Sequence, residues 1–87
     1  MAKRIKVIEK KLQHHKADNE EKVYGLAYED KNEVHIDPRQ RAWQRMDTLI
    51  HEIVHVARPD LKEKEVRSLT YAIRKVLWRE GYRKIQK

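Results

Sequence analysis

His51 and His55 stand four residues apart with Glu52 beside the first, in the run His-Glu-Ile-Val-His. On a helix this spacing projects both imidazoles from one face about a turn apart, where they can reach one Zn²⁺, and keeps the glutamate near a water activated by the metal. The chemistry is hydrolysis of a peptide bond: zinc lowers the pKa of the water and polarises a carbonyl, while Glu52 takes the water's proton and returns it to the leaving amine. Such a site requires that residues 51–55 be helical and that a third ligand arrive from another element.

The helix has a start signal: Asp37 as N-cap, Pro38 at the first helical position, and Gln40 three residues after the cap. Ala42, Met46, Leu49, Ile50, Ile53, Val54 and Ala57 then recur at helical spacing and predict a helix over 38–58 with one apolar arc. His51 and His55 fall beside that arc and can face a cleft. Pro59 ends the helix. Asp60 and Glu63 read as the capping box of a second helix over 60–81, with Gly81 as its stop and Val66, Leu69, Ala72, Ile73, Val76 and Leu77 as its apolar arc.

Ahead of the helices, residues 4–9 alternate loosely as a strand. Residues 22–28 and 33–37 read as a hairpin closed by Glu29 to Asn32. Residues 10–21 are polar, and 1–21 form an N-terminal strand and polar loop. The order predicts a single α+β domain: a three-stranded antiparallel or mixed sheet, an active-site helix and a second, antiparallel helix.

The third ligand is expected from that second helix, because the chain lacks the metzincin continuation: Arg58 stands where its glycine would be and Leu61 where its third histidine would be. With a tight turn at 58–60, His55 and His51 lie about 4.5 and 10.5 Å before the turn, and Glu65 about 7.5 Å past it. Glu65 therefore arrives level with the gap between the histidines and lines up with Leu69, Ala72 and Val76. Glu63 competes for the role, but capping already explains it. The expected zinc ligands are His51, His55 and Glu65, with Glu52 as the base.

Composition narrows the classes. The 87 residues contain no cysteine, so disulfides, thiolate ligands and a cysteine nucleophile are excluded. The N-terminus has no apolar core of a signal peptide and no segment approaches a membrane span, which predicts a cytoplasmic protein with no membrane partner. A net charge of +7 favours contact with nucleic acid or acidic proteins.

From Val23 to Arg83 the chain resembles the small zincin-like proteins of bacteriophages and prophages that are classed as metallopeptidases by their motif. The matching pieces are Val-His-Ile-Asp at 34–37, Asp-Thr-Leu-Ile-His-Glu-Ile-Val-His at 47–55, Pro-Asp-Leu-Lys-Glu-Lys-Glu-Val at 59–66 and Leu-Trp-Arg-Glu-Gly-Tyr-Arg at 77–83. The resemblance implies a minimal zincin core, carries the metal and base roles onto His51, Glu52, His55 and Glu65, and places the protein in a phage-infected host. It implies no particular substrate.

Other residues carry secondary expectations. Asp47, one turn before His51, can fix that ring's tautomer. His35, Tyr24 and Tyr28 are candidates for substrate or oxyanion contact, and the strand at 33–37 is a candidate edge onto which an extended peptide adds. His14 and His15 read as solvated. On the second helix Arg67, Arg74 and Lys75 interleave with Tyr71, Trp78 and Tyr82, a pattern suited to nucleic acid. The alternative to the enzyme is thus a nucleic-acid- or protein-binding module on the same fold.

Overall fold

Residues 33–36 alternate between the two faces of a sheet, and the consequence is visible in burial. Val34 and Ile36 have no exposed surface. In the computed structural model, which describes residues 4–12 and 23–83, they belong to the central strand of a mixed three-stranded sheet of order β1-β3-β2. The strands are β1 (Lys6–Glu9), β2 (Gly25–Tyr28) and β3 (Glu33–Ile36). β1 runs parallel to β3, with Val7 opposite Val34, and β2 runs antiparallel to it, with Ala27 opposite Val34. A 3₁₀ turn at Glu29–Lys31 closes the hairpin, and Asn32 takes the left-handed conformation that this residue type tolerates. The fold is α+β, as the sequence predicts.

Two helices follow, α1 (Ala42–Ala57) and α2 (Glu63–Arg79). Val56 joins Val34 and Ile36 in the core, with Ile5, Ala27, Leu49 and Ile53 packed around them. Burying one face of the sheet under α1 is the main apolar gain available to so short a chain. Arg45 is also buried on α1 and reaches Glu9 at 2.9 Å, tying the helix to β1. α2 runs antiparallel to α1: Glu63 lies by His55, and Arg74 by Asp47. It ends in a Schellman motif, with Gly81 at φ +86°, its N–H bonded to Trp78 O and the Tyr82 N–H to Leu77 O.

Three expectations change. Both helices begin later than the sequence signals suggest, at Ala42 and Glu63. Only part of the second helix's apolar arc is covered: Val66 is buried, while Leu69, Ile73 and Val76 are more than two-fifths exposed. The strand at 33–36 is central and paired on both sides, so it offers no edge to a peptide. His14 and His15 lie outside the described residues. Among the described residues, no helix is long and apolar enough to cross a membrane.

Asp37 explains the late start of α1. Instead of capping the helix, its side chain is fully buried and accepts the N–H groups of Leu12 and Arg39, both at 2.9 Å, and a two-point contact from the Arg39 guanidinium. Arg39 in turn donates to Leu12 O. The Arg39 hydrogen bonds, with those from the backbone, hold the Asp37 carboxyl far below its ordinary value near 3.8. A lowered folded-state pKa contributes stability that is complete above the unfolded value and is lost as pH falls toward the folded one. Asp37→Ala is therefore expected to cost at least about 1.5–3 kcal/mol at neutral pH. Asp37→Asn should flatten the loss of stability expected of the parent below pH ~4, read as urea midpoints across an acid series.

Candidate metal centre

α1 carries His51 and His55 on one face, their Nε2 atoms 3.2 Å apart and their rings edge-on at 4.8 Å between centroids. Glu63 opens α2 and brings Oε1 to 2.9 Å from His55 Nε2 and 3.2 Å from His51 Nε2. Among the described residues this is the group of His and carboxylate side chains able to share one metal ion. Bonds of about 2.0–2.1 Å to a tetrahedral Zn²⁺ hold its donors roughly 3.3–3.4 Å apart, close to the edges of this triangle. Two imidazole nitrogens and a carboxylate oxygen in such contact need a proton or a cation between them.

The surroundings favour ligation. Burial pushes the His51 ring below its ordinary pKa, which keeps it neutral and able to coordinate, while Glu63 opposes the shift and His55 adds to it. The second oxygen of Glu63 lies 3.6 Å from Arg67 Nε, one turn along α2, so the carboxylate is oriented from behind.

Glu52, next to His51 in sequence, lies against β2 on the cleft wall that it shares with His51. A Cβ built on Gly25 would sit 2.5 Å from Thr48 Cγ2, 2.9 Å from Glu52 Cγ and 3.0 Å from Glu52 Oε2. The close approach of edge strand and helix thus requires glycine there. Burial pushes the Glu52 carboxyl above its ordinary pKa, against the pull of His55 and with the help of Glu63. A cleft of about 330 Å³ runs between β2 and α1, bordered by Tyr24, Gly25, Asp47, Thr48, His51 and Glu52. It places His51 and Glu52 on one accessible wall.

Glu65 does not join this group. Its carboxylate accepts the Lys62 backbone N–H at 2.9 Å, the contact that starts α2, and Glu63 takes the position expected for it. The cause is the place where the helix begins. Arg58 holds Asp60 through two hydrogen bonds of 2.9 and 2.7 Å, the turn extends to Lys62, and the third helical position moves from Glu63 to Glu65.

The remaining candidates divide. Asp47 borders the cleft but binds Arg74 at 3.0 Å instead of orienting His51. Tyr24 borders the cleft, whereas Tyr28 meets His35 with tilted rings, 4.7 Å between centroids, on the sheet face turned away from α1. His35 therefore lies outside the site. The cationic and aromatic side chains of α2 meet one another: Arg74 lies over Trp43 and Tyr71, Lys75 over Tyr71, and Arg83 over Trp78. Thr48 and Gly25 escape sequence reasoning because their importance is a contact between two elements. An isolated glycine in a strand pattern, which marks close backbone approach, was the available signal.

No family model, no curated protein and no solved structure matches this chain.

Gly25→Ala is expected to force β2 away from Thr48 and Glu52 and to cost about 1–3 kcal/mol, as overpacking does. Thermal unfolding gives the magnitude. The Thr48 methyl resonance should shift while those of Val66 and Thr70, on α2, stay in place.

Proposed function

We propose that this protein is a zinc-dependent metallopeptidase in which His51, His55 and Glu63 hold the metal and Glu52 is the general base. The observation that carries this reading is the triangle of donor atoms at 2.9 to 3.2 Å, with a half-buried carboxylate beside it on the wall of a cleft. A purely structural metal site has no need of Glu52. The run His-Glu-Ile-Val-His at 51–55 points the same way.

His51, His55 and Glu63 would hold the zinc, which would supply a Lewis acid to acidify water and polarise a carbonyl oxygen. The chain's own residues do the rest. Glu52, made more basic by burial, accepts a proton from the attacking water and passes it to the departing amine. Arg67 keeps Glu63 turned toward the histidines.

An extended peptide is the substrate that suits the cleft. The Asp37 N–H bonds Tyr24 O, so Tyr24 directs its backbone groups to β3, and Gly25 and Ala27 direct theirs to the outer edge of β2. A peptide adding along that edge meets Glu52 and His51 at Gly25, with recognition mainly through its backbone. The net charge of +7 adds a preference for acidic peptides that fades with salt.

Metal analysis of the purified protein should give one zinc per chain, lost in Glu63→Ala and kept in Glu65→Ala, where the cost is about 1 kcal/mol of helix capping. Glu52→Gln should keep zinc and fold while cleavage of a peptide library falls roughly 10²–10⁴-fold. Retention of zinc by Glu63→Ala, or full cleavage by Glu52→Gln, would reject the assignment.

A further inference from the structure

α2 uses only part of its apolar surface inside the fold. Val66 and Thr70 are buried against α1, whereas Leu69, Ile73 and Val76 are 44, 41 and 46% exposed, and Ala72 lies exposed between them. These four residues are spaced i, i+3, i+4 and i+7, the diamond into which a side chain of a facing helix inserts. Ala72, Ile73, Val76 and Leu77 outline a hollow there with almost wholly apolar walls.

We propose that this stripe is a self-association surface, through which two copies of the chain pair with their α2 helices antiparallel. The charges at its ends identify the occupant. At about 100° per residue, Glu65 on the first turn lies in line with the stripe and Arg79 on the last turn lies just beside it. A two-fold axis between Ala72 and Ile73 sets Leu69 against Val76 of the second copy and brings Glu65 within about one residue's rise of Arg79. Each pair occurs twice by symmetry. The acidic and basic charges on this surface balance, so the chain's excess of +7 lies elsewhere and gives an acidic partner no net attraction here. Antiparallel pairing also sets the positive end of each helix dipole beside the negative end of the other. One helix face buries less than the roughly 800 Å² per partner of a standard stable interface, so the dimer is reversible and depends on concentration. This inference is independent of the metal site.

Sedimentation equilibrium from micromolar to millimolar protein should show the mass rising from 10.6 kDa toward twice that value. Ile73→Lys places like charges across the axis on an already exposed position, and should weaken the dimer at least about tenfold with helicity unchanged. The chain has no cysteine, so single-cysteine variants report the register. Ala72→Cys should cross-link two copies on oxidation, whereas Val76→Cys, separated from its mate by about 10 Å along the axis, should not. A monomer at every concentration, including one that binds a different helix through this stripe, would overturn the proposal. So would a dimer indifferent to Ile73→Lys, or cross-linking at both positions, which indicates parallel helices.

Discussion

A buried carboxylate governs the geometry of this protein. Asp37 has no exposed surface, yet its side chain and backbone are engaged by the segment leaving β1, the residue before β2, and the two residues that lead into α1. An ionised group in that position is tolerable only because donors surround it and the Arg39 guanidinium neutralises it. The arrangement sets the exit of β3 and therefore the line along which α1 crosses the sheet. Gln40 extends it: its amide donates to Asp37 O, and its carbonyl oxygen accepts the Thr48 hydroxyl at 2.7 Å. Thr48 is the residue whose methyl lies against Gly25, so one polar chain runs from the buried carboxylate to the floor of the cleft.

The triangle of His51, His55 and Glu63 depends on a second constraint, the clasp between the helices. Asp47 and Arg74 meet at 3.0 Å, with the guanidinium lying over Trp43 and Tyr71. That clasp is about three turns along α2 from Glu63, and with the five-residue turn it fixes how far the first residue of α2 projects past the end of α1. Side-chain exposure at the site grades from Glu63, about half exposed, to the histidines, about a quarter or less. The triangle is thus open to solvent on the Glu63 side. Glu52 is more enclosed, the environment that raises a carboxyl's proton affinity.

The basic and aromatic residues of α2 bear on the same clasp. Read along the sequence, Arg67, Tyr71, Arg74, Lys75 and Trp78 alternate like a surface for stacked bases. In three dimensions much of that chemistry is spent within the chain, since Arg74, Lys75 and Arg83 each lie over an aromatic ring and Arg74 also pairs with Asp47. Composition could not distinguish the two uses, because a cation over an aromatic ring has the same sequence pattern whether the ring belongs to the neighbouring turn or the next helix, or waits for a ligand.

Much of the architecture was legible because it rests on periodicity: alternation in 33–36, helical spacing from Ala42 to Ala57, a turn at Glu29 to Asn32, and Gly81 as a stop. His51, Glu52 and His55 were legible because a helix converts a four-residue spacing into one face. What failed were the starts of the helices, where one side chain decides between competing partners. Asp37 and Asp60 both have the form of N-caps, and each has an arginine two residues away that takes it instead. Once Arg58 holds Asp60, the first turn of α2 begins two residues later, and residues two apart on a helix point about 200° away from each other. Glu63 and Glu65 must then exchange roles: the carboxylate expected to cap faces the histidines, and the one expected to face the histidines caps. Both readings require an acid on the first turn of α2 and differ only in the residue at which the helix begins, where Asp60 is engaged by Arg58 and Glu65 accepts the Lys62 N–H.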